Sequence, residues 1–113
     1  MKVLVCGGRD FTDREFVYAN LELNCTGCTE LIEGGAKGVD SLAGDWADTT
    51  GRKRSTFKAR WDLYGKSAGF RRNRQMLEEG SPDLVISFPG GRGTANMVSL
   101  AKQAKVKVIE VCY

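Results

Sequence analysis

The sequence predicts a single α/β domain over residues 1–113, of small Rossmann-like, doubly wound type. Its core is a mainly parallel five-stranded sheet with helices on both faces. Three observations predict it. Short apolar, β-branched runs alternate with helix-period segments along the whole chain, three of those runs stop at glycine pairs, and the length suits one domain. Continuous apolar strands separated by helices are the mark of a parallel sheet covered on both sides, joined by right-handed crossovers.

Each element can be read in turn. Lys2 to Cys6 is a buried strand ended by Gly7-Gly8. Asp13 to Leu23 carries Phe16, Val17, Leu21 and Leu23 among polar residues, with Thr12 or Asp13 as N-cap, and reads as a helix. Glu30 to Glu33 is a short strand closed by Gly34-Gly35. Val39, Leu42, Ala43, Trp46 and Ala47 then follow the helical period and form the clearest amphipathic face of the chain. Arg54 to Ala59 fits a third strand, and the Arg52-Lys53-Arg54 run reads as a solvated turn entering it. Arg60 to Gly69 reads as a polar and aromatic loop, and Arg71 to Glu79 as a helix closing at Gly80 with Pro82 beyond it. Asp83 to Phe88 is the strongest strand, cut off by Pro89-Gly90-Gly91. Thr94 to Ala104 is the last helix, with Met97, Leu100, Ala101 and Ala104 on one face, and Val106 to Val111 the last strand.

Composition excludes several chemistries. The chain has no histidine, so it holds no Ser-His-Asp triad, no Cys-His pair and no His-ligated zinc. A net charge of +3 is too mild for a dedicated DNA-wrapping or membrane-surface protein and argues against nucleic acid as partner. Cys25 and Cys28 have zinc-knuckle spacing, but no second such pair follows, and Cys6 and Cys112 each end an apolar run. Four reduced thiols in a cytoplasmic protein are expected. No apolar run is long enough for a signal peptide or a membrane span.

In open α/β sheets, ligands bind outside the carboxyl ends of the strands. Three glycine clusters fall at that edge: Gly7-Gly8-Arg9, Gly34-Gly35-Ala36-Lys37-Gly38 and Pro89-Gly90-Gly91-Arg92-Gly93-Thr94. Glycine lets backbone N–H groups approach an anion, and a following helix N-terminus adds partial positive charge. Arg9, Lys37 and Arg92 place one cation in each loop, and Arg71, Arg72 and Arg74 open the remaining helix. One such loop is common for geometric reasons alone; three, each with its own cation, point to a phosphorylated, nucleotide-derived small molecule.

Smaller assignments follow. Asp40 can accept from ribose hydroxyls or simply complement a helix dipole. Asp10 and Glu33 are the other carboxylates near the edge. Arg72 and Asn73 form a candidate clamp for phosphate or base, and Thr94 can bond a phosphate or cap its helix. Trp46 reads as core; Trp61 and Tyr64 are candidates to stack on a base.

Four blocks taken together resemble a known family: Cys6-Gly7-Gly8-Arg9-Asp10-Phe11, Gly34-Gly35-Ala36-Lys37-Gly38-Val39-Asp40, Arg72-Asn73-Arg74-Gln75-Met76 and Pro89-Gly90-Gly91-Arg92-Gly93-Thr94. They resemble the signature blocks of the SLOG superfamily, which unites Smf/DprA proteins with LOG phosphoribohydrolases, and its stand-alone YspA or cpYpsA-related branch above all. The resemblance implies a Rossmann-like domain that binds nucleotides or nucleotide-derived signals at these loops, in bacterial or phage settings. LOG enzymes cleave a nucleoside 5′-monophosphate at its N-glycosidic bond, using a glutamate soon after the last block and an arginine on the preceding helix. Arg72 or Arg74 matches the arginine, but the glutamate positions read Asn96 and Met97, neither of which does a carboxylate's work.

The expectation is therefore a sensor or sequestering module. Its alternative is a nucleotide hydrolase in which Asp10, Glu33 or Asp40 replaces the glutamate. A DprA-like single-stranded DNA binder using Arg9, Arg71, Arg74 and Arg92 is the weakest reading. Magnesium is compatible with a diphosphate ligand, although no carboxylate cluster demands it. A homodimer is compatible with the resemblance.

Overall fold

Five strands, β1 (Lys2–Cys6), β2 (Glu30–Glu33), β3 (Lys53–Thr56), β4 (Leu84–Ser87) and β5 (Lys107–Glu110), form one sheet in the computed structural model, which describes all residues from Met1 to Tyr113. Their order is β3-β2-β1-β4-β5 and every pair is parallel, so the sheet is wholly rather than mainly parallel. Between them run α1 (Arg14–Asn24), α2 (Val39–Thr49), α3 (Trp61–Tyr64), a 3-10 turn at Gly65–Ser67, α4 (Ala68–Gly80) and α5 (Arg92–Gln103).

Alternation along the strands divides the core in two. Val3, Val5, Leu31 and Ile86 face Val17 and Leu21 of α1 and Ala43 and Trp46 of α2. Leu4, Cys6, Ile32 and Val85 face Met76 of α4 and Met97 and Ala101 of α5. The chain thus winds β1-α1-β2-α2-β3 along one face, crosses over through α3 and α4, and returns to β4 on the other side of β1. The strand order reverses between β1 and β4, the place where this architecture opens a crevice.

Differences from the expected boundaries have local causes. The third strand ends at Thr56 because its partner ends at Glu33. The segment expected to be a loop from Arg60 to Gly69 holds α3 and the 3-10 turn, and α4 begins at Ala68. Leu63 and Tyr64 both donate to the Arg60 carbonyl, yet no residue of α3 is buried, so this turn has no apolar period to reveal it. Gly80 does not cap α4 but ends it, packed on Ile32, and Ser81 takes the left-handed cap position at φ 48°. The last helix starts at Arg92, which brings Gly93 and Thr94 into its first turn.

The Arg52-Lys53-Arg54 run is no solvated turn. Arg52 lies 4.4 Å from the Trp46 ring centre and donates to the Cys28 carbonyl. Arg54 donates through Nε to the fully buried Glu33 at 3.0 Å and also pairs with Asp48. Glu33 further accepts from the Gly35 N–H at 2.5 Å and from the Thr56 hydroxyl. It ties the second glycine loop to β3, which is a structural occupation for that carboxylate.

Gly38 requires its identity. It sits at φ 74°, ψ −127°, and a side chain there would drive into the Gly8 and Arg9 carbonyls. Gly38→Ala is expected to destabilise the domain by at least about 2 kcal/mol, from backbone strain plus displacement of the Gly8 loop. Urea unfolding of the two proteins side by side measures it.

Candidate ligand-binding site

At the carboxyl edge of the sheet, between β1 and β4, lies an open cavity of about 780 Å³, within the range of small-molecule sites. Gly7, Gly8, Arg9 and Asp10 line it from the loop after β1, Ala36 from the second glycine loop and Asp40 from the first turn of α2. Arg72, Asn73 and Met76 enter from α4, and Pro89 to Thr94 close it from the loop after β4. Trp61, Lys66 and Phe70 line the remaining side. Of the expected binding residues, Gly34, Gly35, Lys37 and Gly38 do not line the cavity. Their loop serves as its frame: a side chain at Gly34 would collide with the Arg72 guanidinium, and Gly38 makes room for the Gly8 loop.

Hydrogen bonds stitch the three glycine loops together. The Gly8 N–H donates to the Pro89 carbonyl at 2.8 Å, and the Gly8 carbonyl accepts from Val39 at 3.1 Å. Arg72 donates to the Gly34 carbonyl through Nη1 and to Asn73 Oδ1 through Nε at 3.1 Å. Buried Asn73 donates through Nδ2 to the Gly93 carbonyl and to Asn96 Oδ1, both at 3.0 Å. Asn73 is therefore a bracket between α4 and α5 that holds Arg72 beside the first turn of α5.

That first turn is open. No side chain caps α5, and the N–H groups of Gly90, Gly91, Arg92, Gly93 and Thr94 have no protein acceptor. Thr94 is the third residue of the helix rather than its cap, and its hydroxyl has no protein partner. An uncapped helix N-terminus with free N–H groups attracts an anion.

The cations around the cavity are free as well. Arg14, Lys53, Arg54, Arg60 and Lys102 all pair with carboxylates, whereas Arg9, Lys66, Arg72 and Arg92 form no ion pair. Arg74, on the outer side of α4, lies outside the cavity, so Arg72 alone of the two candidates can act there. Burial lowers the pKa of Arg72, with Arg9 adding to the effect and Asp40 opposing it. An arginine retains its charge under such pressure.

Two carboxylates, Asp10 and Asp40, line the cavity. Burial pushes Asp40 up to about 6, against the Ala36 N–H that it accepts at 3.2 Å and the nearby Arg72 charge. Burial likewise pushes the Cys6 thiol, at the floor of the cavity, up to about 12, so it stays protonated and is no nucleophile. Cys25 and Cys28 are buried thiols with raised pKa values, and no group of three or more Cys, Asp or Glu side chains converges to hold a metal. Asn96 faces Asn73 and Met97 lies in the core, so neither lines the cavity. No helix is long and apolar enough to cross a membrane.

Lys66 and Phe70 had no place in the sequence reading. Both lie in or beside the segment read as a loop, and neither belongs to a glycine cluster. Arg72 was separable from Arg74 in principle, because Met76, one helical turn on, marks the inward side of α4.

The sequence model of the YspA, cpYpsA-related SLOG family matches residues 1–64, which span the first two glycine loops. The Gene 61 protein of Mycobacterium phage D29 is 34% identical over 120 aligned positions, covering 96% of this chain and 94% of that protein. With a wholly parallel Rossmann-like sheet and glycine loops at its carboxyl edge, the chain belongs to the YspA, cpYpsA-related SLOG family.

Proposed function

We propose that this domain binds a nucleotide or nucleotide-derived small molecule in the cavity between β1 and β4, as a sensor or sequestering module that releases its ligand unchanged. One observation carries the reading: four cations without counter-ions surround a helix N-terminus whose N–H groups are all free. Folding alone does not require that arrangement. A phosphate seated on the first turn of α5 satisfies the N–H groups and neutralises the guanidinium charge in one step. Membership of the SLOG family supports a nucleotide-related ligand.

Catalysis has a specific observation in its favour too. Asp40 lines the cavity with a pKa near 6, in the range of a general acid or base. It supports hydrolysis of a glycosidic or phosphate bond as the second reading. Against it, the positions that resemble the LOG glutamate hold an amide occupied by Asn73 and a core methionine.

Calorimetric titration with AMP, ADP-ribose, NAD and cyclic nucleotides, followed by chromatography of each mixture, separates the readings. Recovery of a bound ligand intact supports the module; a cleaved product that disappears in Asp40→Asn, with binding retained, establishes the enzyme. Arg72→Ala is expected to weaken binding at least about tenfold, the loss of one charge-assisted contact, while Arg74→Ala leaves it unchanged. Equal effects of the two substitutions would show that general surface charge, not the bracketed Arg72, holds the ligand.

The Asp40 pKa has its own test in stability. A folded-state value raised above the unfolded one means that the native protein holds the proton to higher pH. Ionised Asp40 therefore costs stability, progressively from about pH 4 through its folded pKa of about 6. Asp40→Asn removes that cost. Its stability should match the wild type near pH 3.5 and exceed it by roughly 3 kcal/mol at pH 7. Denaturant unfolding across this range checks it, and a gap independent of pH would contradict the assignment.

A further inference from the structure

The segment after β3 exposes four large apolar side chains, Trp61, Leu63, Tyr64 and Phe70. They differ in what they touch. Tyr64 lies outside the cavity, with the Arg71 guanidinium 4.5 Å from its ring centre. Trp61 lines the cavity, and the far edge of its indole lies against Gly69, where an added side chain would come within 3.4 Å of it. The residue is nevertheless 49% exposed. Its one charged partner is Arg9, which reaches it from the loop after β1 with 5.4 Å between guanidinium carbon and ring centre. Arg9 has no carboxylate partner to hold it there.

A half-exposed indole in a cavity of free cations is an unfinished contact. Every nucleobase presents a π-face that stacks on such a ring. An exposed cation–π contact is weak enough to be exchanged for it. We infer that Trp61 is the platform for the ligand's base, and that Arg9, which covers the ring in the free protein, turns from it to the ligand phosphate. The inference rests on the phosphate reading above and narrows the ligand to one that carries a nucleobase, as opposed to a bare sugar phosphate.

The chain has only two tryptophans, and Trp46 is 1% exposed with its indole N–H donated to Glu22 at 2.8 Å. Ligand-dependent change in tryptophan emission therefore reads Trp61. The experiment compares the four nucleoside 5′-monophosphates with ribose 5-phosphate, by emission and by calorimetry, on wild type, Trp61→Ala and Trp61→Phe. Nucleotides should quench the emission and ribose 5-phosphate should not. Trp61→Ala should weaken the bound nucleotides roughly 10- to 100-fold while leaving ribose 5-phosphate unchanged, and Trp61→Phe should keep most of the affinity without the quenching signal. If wild type binds ribose 5-phosphate as tightly as nucleotides, the phosphate site stands and the platform falls. Equal loss of both ligand classes in Trp61→Ala would assign Trp61 to packing alone and overturn the platform as well. If neither class binds, the phosphate reading itself fails and takes the platform with it.

Discussion

The Gly8 peptide unit fixes the geometry on which everything else at the sheet edge depends. Its N–H is donated to Pro89 and its carbonyl accepts from Val39, so one residue joins the loops after β1 and β4 to the start of α2. A parallel sheet holds its strands side by side but leaves the connections at its carboxyl edge to find their own positions. Here that freedom is removed by backbone bonds. The loops cannot move independently, and side chains mounted on them inherit a common frame. Asn73 repeats the device from the opposite face, bonding the Gly93 carbonyl and Asn96 and so holding α4 to α5.

Charge is distributed with the same economy. Glu33, fully buried, is satisfied by a backbone N–H, a hydroxyl and Arg54, which leaves it no free acceptor for a ligand, although its charge still reaches Asp40 and Arg72. Arg54 in turn engages Asp48. The carboxylates near β2 and β3 are thus consumed by cations that the fold supplies locally. What is left at the cavity is a surplus of positive charge, in which Arg9 opposes the Arg72 charge and Asp40, its pKa raised by burial to about 6, relieves it. Such a surplus opposes folding slightly and favours any anion that relieves it.

The fold was legible in the sequence because its two signals are strong and local. Val3 to Val5, Leu31 to Ile32 and Leu84 to Ile86 are continuous apolar runs, and only a sheet buried on both faces makes use of them. Boundaries were less legible where a partner decides them: β3 stops because β2 stops. Glycine clusters marked the edge of the sheet where the cavity lies but not the division of labour within it. Gly34 and Gly38 are glycines for the sake of Arg72 and Gly8, a tertiary reason that no local pattern expresses. Whether a cation is paired is likewise a property of the folded chain, so Arg54 and Arg72 read alike until their neighbours are known.

Helix N-termini supply the last step. Asp13 accepts from the Phe16 N–H and closes α1 with a carboxylate; the Gly8 carbonyl closes α2 at Val39; α4 is entered through a 3-10 turn whose Gly65 carbonyl receives the Ala68 N–H. Of the four helices longer than one turn, only α5 begins with no acceptor from the protein, and it begins where the strand order reverses. A domain that plugs three helix starts with its own oxygen atoms and leaves the fourth open beside Arg9, Arg72 and Arg92 has not merely run short of caps. Asp, Ser or Asn at position 91 would close α5 as Asp13 closes α1, and would place an oxygen at the proposed anion site. Glycine there keeps the N–H groups clear. The open turn and the unpaired cations meet at one place in the fold, and the anion site proposed above rests on that coincidence.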